Sequence, residues 1–111
     1  MLKLRSCEGN LDIQVNTQGE GTCVVECAGT VDIESAPELH AALDLGLQEA
    51  RERLVLDLSH VTSMDSAAVG EIVEARHRLR GGVEMLVRTG NRRVRMLLEM
   101  AGLTRRIACI A

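Results

Sequence analysis

The sequence predicts an α/β domain built on a mixed sheet of four to five strands. In segments typical of strands, apolar residues alternate with polar ones or form short continuous runs. In other segments they recur every three or four positions, which is typical of amphipathic helices. The resulting order is ββαβαβα(β). Strands joined through helices run parallel with right-handed crossovers, whereas the first two, joined by a short turn, form an antiparallel hairpin.

The composition limits both the core and the function. The 111 residues carry a net charge of −3 and include no Phe, Tyr or Trp, although 46% of them are hydrophobic. A single domain over residues 1–111 is expected, with an aliphatic core at about 10–111. Without aromatic side chains the chain cannot stack bases, and its charge gives no general attraction to DNA or anionic membranes. Direct nucleic-acid binding is therefore not expected.

Neither the apolar runs nor the cysteines indicate export or a metal. No run is long enough for a signal peptide or a membrane span, so a cytoplasmic protein is expected. Cys23 and Cys27 lie four positions apart on one predicted strand, roughly 13 Å at about 3.3 Å per residue, which is too far to bridge. No cofactor is expected. The four cysteines fit no metal-binding spacing and are expected to be reduced: Cys7, Cys23, Cys27 and Cys109.

The first half of the chain predicts a hairpin followed by a helix. The hairpin strands are 11–16 and 22–28, and a loop at 29–34 follows them. Ser35 and Glu38 form a predicted capping box, with Pro37 tolerated in the first turn. The helix is expected to bury one apolar face: Leu39, Ala42, Leu43, Gly46, Leu47 and Ala50.

The central stretch, 53–80, is the most informative part of the sequence. It predicts a buried strand at 53–58, a polar loop from His60 to Met64, and a helix that opens at Asp65-Ser66. Either of those two residues can cap the helix, and Ser66 lies at the positive end of the helix dipole. The predicted buried stripe consists of Ala68, Ile72, Ala75 and Leu79, with Val69 and Val73 beside it.

The last part of the chain adds a strand, a helix and a short final strand. The strand is predicted at 83–88, and Asn91 caps the helix that follows. Gly102 and Leu103 are typical of a left-handed glycine cap with a hydrophobic residue after it. The final strand is predicted at 107–110.

The connectivity predicts one functional edge. The loops 29–34, 59–66 and 88–91 all follow the carboxyl ends of strands, where α/β sheets tend to hold their sites. Asp32, Ser66 and Asn91 are therefore expected at one end of the molecule, with Asp32 as an exposed loop acid outside any cap.

The residues alone leave three roles open for Ser66. It is a helix cap, a regulatory phosphoacceptor at an exposed helix start, or a nucleophile. The last is disfavoured because no Gly-x-Ser-x-Gly elbow surrounds it and only His60 lies near it in sequence. No catalytic residue is assigned, and the chain is not expected to be an enzyme.

Three stretches in order resemble the STAS domain in its bacterial anti-anti-sigma-factor form. Residues 29–39 (GTVDIESAPEL) are similar to that family's G-x-[LV]-D…APEL stretch. Residues 54–66 (LVLDLSHVTSMDS) resemble its strand-loop signature ending in Asp-Ser. Residues 94–103 (VRMLLEMAGL) resemble its last helix. The chain departs from the family pattern at Ala67 and Ala68, where a hydroxyl residue and a glycine are common, and at Ser63, where an aromatic residue is usual.

The resemblance implies a fold and a switch. The fold would have helices mainly on one face of the sheet. The unphosphorylated domain would be an anti-sigma factor antagonist: it would capture an ATP-dependent serine kinase that is itself the anti-sigma factor. The capture would free a sigma factor. Phosphorylation of Ser66 would end the capture, and a PP2C-type phosphatase would restore it. The partner-binding residues implied are Asp32, Met64, Asp65, Ser66, Ala67 and Asn91.

Two other uses of the domain stay open. One is a non-catalytic scaffold in a stress-signalling assembly, and the other is an accessory subunit of a membrane transport complex. Because accessory subunits of that kind often lack the phosphoacceptor, the pair Asp65-Ser66 favours the switch.

Overall fold

The computed structural model describes residues 3–8, 11–103 and 108–110, and side chains are described for 11–103. Within these ranges strands and helices alternate as predicted, after three strands at the start. Their bounds are β1 (Lys3–Glu8), β2 (Leu11–Gln18), β3 (Thr22–Val31), α1 (Ala36–Glu49), β4 (Arg53–Met64), α2 (Ser66–His77), β5 (Glu84–Thr89), α3 (Arg92–Met100) and β6 (Ala108–Ile110).

The strands form one mixed sheet in the order β1-β2-β3-β4-β5-β6. The β1–β2 and β2–β3 pairs are antiparallel, and the later pairs are parallel. The mixed α/β architecture is therefore confirmed. The strand count is corrected, because the described residues contain six strands rather than four or five. The additional strand is β1, which pairs along β2 from Lys3 opposite Asn16 to Glu8 opposite Leu11.

One face of the sheet carries the core. Strands β2 to β5 point alternate apolar residues to this face, among them Val15, Val25, Leu56 and Val87. Buried apolar residues of all three helices, among them Leu39, Ile72 and Leu98, belong to the same cluster, as expected for helices mainly on one face. The approach of α1 is close at Gly46, where a Cβ would lie 2.8 Å from Leu54 Cδ1.

The predicted polar loop after residue 58 is wrong, because β4 continues to Met64. It remains paired with β3, whose strand runs to Val31 rather than ending at 28. Two register shifts give β4 an extra residue each time. Such bulges move the buried positions from Leu58 to Val61 and then to Met64. A spacing of three matches no strand pattern, which explains the wrong prediction.

The helix predictions hold in their essentials. In α2, Ala68, Ile72 and Ala75 are buried. The helix ends at His77, so the partly buried Leu79 lies beyond it. Gly102 has φ +74° and the next residue, Leu103, is buried, which confirms the predicted glycine cap after α3.

The cysteines whose side chains are described are free and buried. Burial raises the pKa of the Cys23 thiol to about 11 and that of Cys27 to about 12, so both stay protonated at neutral pH. Cys7 and Cys109 have side chains outside the described set. Among the described residues, no helix has the length and apolar character needed to cross a membrane.

Candidate functional site

Three strand-to-helix connections meet at one edge of the sheet. The Asp65 amide donates to the Val31 carbonyl at 3.2 Å, next to Asp32. The Asn91 side-chain amide donates to the Thr62 carbonyl at 3.2 Å, two residues before the end of β4. The predicted neighbourhood of the loops that carry Asp32, Ser66 and Asn91 is therefore confirmed.

Asp65, not Ser66, caps helix α2. Its Oδ1 accepts the backbone N–H groups of Ala67 at 2.9 Å and Ala68 at 3.3 Å. Ser66 is consequently the first helical residue, and its side chain is exposed. Its hydroxyl forms no hydrogen bond within the described residues. The sequence left open whether Asp65 or Ser66 caps the helix. The structure shows that Asp65 is the cap and that the Ser66 side chain does not contribute to it.

The residues after Ser66 turn toward the core. Ala67 is partly buried, and Ala68 is fully buried in the core cluster. The methyl group of Ala68, at a position where the resembling family has a glycine, therefore packs against other apolar side chains. Met64, immediately before Asp65, is 8% exposed and belongs to the same cluster. Among these neighbours, Ser66 presents the most accessible side chain.

The Asp32 loop differs from its prediction. Asp32 Oδ1 accepts the N–H groups of Glu34 and Ser35, each at 3.0 Å, and the Ser35 hydroxyl at 3.1 Å. The Ser35 hydroxyl in turn accepts the Asp32 N–H at 2.9 Å. Ser35 forms no side-chain hydrogen bond to the helix, so the predicted capping box is wrong. Asp32 is likewise not an acid outside any cap, because it organises the turn that leads into α1.

The same hydrogen bonds set the acidity of Asp32. The Ser35 N–H, with smaller contributions from the Ser35 hydroxyl and the Glu34 N–H, holds the pKa of the Asp32 carboxyl below its ordinary value. The side chain is thus charged at neutral pH. Its hydrogen bonds within the described residues all use Oδ1, and Oδ2 accepts none among them.

Asn91 fixes the third connection. Its Oδ1 accepts the Arg93 N–H at 2.8 Å, which confirms the predicted cap of α3. Gly90, just before it, lies against β4 so closely that a Cβ would clash with the Ser59 carbonyl. A larger residue at position 90 would therefore push the start of α3 away from the site.

An exposed apolar residue was missed in the sequence. Ile33 follows Asp32 directly and is 75% exposed. Nothing in the periodicity distinguishes it, because it lies in a turn rather than on a face. A separate hollow of about 220 Å³ lies between the end of β4 and α3. Its lining consists of Thr62, Ser63, Met64, Arg93, Val94 and Leu97.

The histidines do not form a nucleophilic site with Ser66. His60 is exposed, and its Nδ1 lies 3.3 Å from the Ser59 hydroxyl rather than near Ser66. Among the described residues, no histidine or carboxylate forms a hydrogen bond with the Ser66 hydroxyl. The serine therefore lacks the adjacent base that activates a nucleophile.

A second group of ionisable side chains joins α1 to α2. His40 Nδ1 lies 2.8 Å from Glu71 Oε1, and this hydrogen bond raises the pKa of His40. Glu74 lies close enough for a three-ligand cluster, with ligand atoms within 4.8 Å of one another. Arg78 approaches Glu74 at 3.8 Å and Asp44 at 2.6 Å. Because a guanidinium already occupies the rim, these groups are best described as an ion-pair network between helices.

Comparisons with known proteins now identify the family. The STAS domain model matches residues 12–111. The chain belongs to the STAS domain family. A search of curated proteins returned no match. The matched region contains all three connections.

Solved structures of anti-sigma factor antagonists share the fold. An anti-sigma factor antagonist from Mycobacterium paratuberculosis superposes with a TM-score of 0.82 at 22% identity, covering 89% of this chain and 84% of that one. Unphosphorylated SpoIIAA, an anti-sigma factor antagonist, gives 0.73 at 19% identity, covering 89% and 88%. A putative antagonist from Thermotoga maritima gives 0.65 at 26% identity, covering 78% and 77%. At these identities the likeness establishes the fold.

Proposed function

We propose that this STAS domain is an anti-sigma factor antagonist controlled by phosphorylation of Ser66. With Ser66 unmodified, the domain binds an ATP-dependent serine kinase that acts as the anti-sigma factor. With Ser66 phosphorylated, it releases that kinase, and a PP2C-type phosphatase reverses the modification. The domain itself performs no catalysis and needs no cofactor.

The observation that carries this proposal is the position of the Ser66 hydroxyl. It is exposed at the first position of α2 and makes no hydrogen bond in the described structure. A kinase can therefore reach it without breaking any contact. The neighbouring hydroxyls are less suitable: Thr62 donates to the Gly29 carbonyl at 3.2 Å, and Ser63 lies within strand β4. A phosphate at a helix start also meets the positive end of the dipole.

The cap explains why the modification need not disturb the fold. Asp65 already accepts the N–H groups of Ala67 and Ala68, so phosphorylation of Ser66 removes no capping bond. The dipole favours the added charge by about 0.3–1 kcal/mol. The Asp65 carboxylate repels it by a similar order of magnitude, about 1 kcal/mol in water. These effects nearly cancel in the free domain.

The balance changes at a packed interface. A phosphoserine carries about −1.5 to −2 charges at pH 7. Against a partner surface shaped for a hydroxyl, an uncompensated charge costs several kcal/mol, and about 1.4 kcal/mol corresponds to a tenfold change in affinity. The switch therefore acts through the interface rather than through refolding.

The partner surface around Ser66 would consist of the adjoining connections. Asp32 offers a carboxylate that is held charged and in a fixed orientation, which suits a cationic side chain of the kinase. Ile33 beside it offers an exposed apolar contact. Asn91, Asp65 and Ala67 border the same edge, while the mostly buried Met64 supports it from below.

Phosphorylation by the cognate kinase tests the proposal. The purified domain is incubated with the kinase and ATP, and the modified position is mapped by mass spectrometry of its peptides. Phosphate on Ser66, absent from Ser66→Ala and retained in the matched control Ser63→Ala, is the expected result. Modification at Ser63 or Thr62 would refute the assignment. Stable binding with no modification of any residue would favour the scaffold alternative.

A further inference from the structure

The outer surface of α3 has features that the Ser66 switch does not use. At about 100° per residue, positions four apart on a helix form a ridge along one side. Arg92, Met96 and Met100 form such a ridge. Met96 is 49% exposed and Met100 is 82% exposed. Two large apolar side chains thus stand in solvent, next to each other on one helix.

Exposed arginines lie at the start of the helix, one turn before this apolar pair. Arg92 and Arg93 are exposed, and neither forms an ion pair or a side-chain hydrogen bond in the described part of the chain. Arg95, on the other side of the ridge, is paired with Glu99 at 3.2 Å. The two unpaired cations lie where the helix dipole is positive, so they weaken the helix rather than stabilise it.

The hollow at the end of β4 continues the same surface. Arg93 and Leu97 belong to its lining, together with Thr62, Ser63 and Met64. Its volume of about 220 Å³ has room for a partner's side chain. The ridge and the hollow thus combine apolar contacts with two unpaired positive charges, on a chain whose net charge is −3.

From this arrangement we propose that the outer surface of α3 docks an acidic amphipathic helix of a partner protein. Apolar side chains of that helix cover Met96 and Met100 and enter the hollow. Its carboxylates pair with Arg92 and Arg93, which gives the contact charge complementarity. The surface is distinct from the Ser66 hydroxyl and extends the function beyond the phosphorylation switch.

The length of α3 sets the strength of the contact. Nine residues at about 1.5 Å each present a ridge of roughly 13 Å, which is small for a protein interface. The contact is therefore weak and readily reversible, and its charge pairs make it sensitive to salt.

A tryptophan-containing peptide provides a direct probe. The protein has no Trp, Tyr or Phe, so the fluorescence of a peptide tryptophan is observed without background from the protein. The probe is a synthetic helical peptide with leucines and one tryptophan along one face and glutamates elsewhere. The control peptide has every glutamate replaced by lysine. The acidic peptide is expected to bind saturably, and added salt should weaken this binding. The lysine peptide is expected not to bind.

Charge reversal locates the site. The double variant Arg92→Glu/Arg93→Glu should lower the affinity for the acidic peptide by at least about tenfold. Its thermal midpoint should not fall, because negative charge is favourable in the first turn of a helix. Arg51→Glu is the matched control, since Arg51 is also exposed and has no ion pair among the described residues, and it should change the affinity by less than about twofold.

A polar substitution tests the apolar half of the surface. Met100→Gln should also weaken binding of the acidic peptide. Because Met100 is exposed, the substitution should leave the stability of the fold unchanged. Equal weakening by Arg51→Glu, or binding that survives the Arg92/Arg93 reversal, would overturn the proposal. So would concentration-dependent self-association that the same reversal abolishes, because a second copy would then occupy the surface. None of these outcomes depends on phosphorylation of Ser66.

Discussion

Two serines stand at the two junctions where a central strand passes into a helix, and the structure uses them in opposite ways. Ser35, before α1, is 7% exposed, and its hydroxyl bonds to the Asp32 N–H, the Asp32 carboxylate and the Thr30 carbonyl. Ser66, at the start of α2, is exposed and has no side-chain hydrogen bond among the described residues. One serine stabilises the turn, and the other leaves its hydroxyl exposed.

The difference follows from where each aspartate lies. Asp65 directly precedes the helix and takes the capping position, so the serine after it is turned outward. Asp32 lies three residues before Ser35, and its carboxylate accepts the N–H groups of Glu34 and Ser35, which holds the turn between the two residues together. The same two residue types therefore produce two kinds of junction. At the locked junction, before α1, the serine hydroxyl is held in a hydrogen-bonded turn. At the presenting junction, before α2, the serine hydroxyl is exposed.

The largest effect is expected at the locked serine. Ser35→Ala removes the hydrogen-bond partner of the partly buried Asp32 N–H, and an unsatisfied donor away from water costs about 1–3 kcal/mol. Chemical denaturation should show that loss of unfolding free energy. The matched variant Ser66→Ala should change the free energy of unfolding by less than about 0.5 kcal/mol, because it removes only an exposed hydroxyl that forms no hydrogen bond among the described residues. Equal losses in the two variants would remove the contrast.

A smaller effect is expected at the cap of the presenting junction. Asp65→Ala leaves the N–H groups of Ala67 and Ala68 without their acceptor, and loss of such a cap costs about 0.5–2 kcal/mol. Asp65→Asn keeps an acceptor oxygen and should recover most of the stability. If Asp65→Ala proved neutral while Ser66→Ala was destabilising, the capping roles would be the reverse of those described.

The smallest effect concerns pH and the locked junction. The pKa of Asp32 is lowered on folding, mainly by the Ser35 N–H. Its contribution to stability is therefore present above the ordinary pKa of about 3.9 and is lost as the pH falls through the lower folded value. Asp32→Asn should make stability fall less steeply on the acid side, measured by denaturation at several pH values. An unchanged slope relative to the unmodified protein would show that the carboxylate is not linked to folding.

The sequence predicted the parts of the fold in which local pattern and tertiary structure agree. The stripe of Ala68, Ile72 and Ala75, the Asn91 cap and the Gly102 termination are examples in which side-chain type and spacing specify the structure. The extension of β4 could not be predicted in this way. Its bulges change the spacing of buried residues to three, so that Val61 and Met64 resemble a loop.

The neighbourhood of the three connections was predicted from the sequence, but their hydrogen bonds were not. Connectivity alone brings Asp32, Ser66 and Asn91 to one edge, because carboxyl ends of parallel strands share an edge. Which side-chain oxygen caps which N–H group depends on turn geometry. Ser35 precedes α1 and Ser66 begins α2, and serine is a common capping residue, so the residue type alone did not identify the cap. Ile33 could not be found either, since exposure of an apolar turn residue depends on what packs over it.

The most direct test compares phosphorylated and unmodified protein in two measurements on the same samples. Binding to the cognate kinase is titrated calorimetrically, and the free energy of unfolding is measured by chemical denaturation. Phosphorylation of Ser66 is predicted to lower the affinity at least about tenfold while the free energy of unfolding changes by less than about 1 kcal/mol. Loss of binding together with several kcal/mol of stability would contradict the account, because the switch would then act by disrupting the fold rather than at the interface.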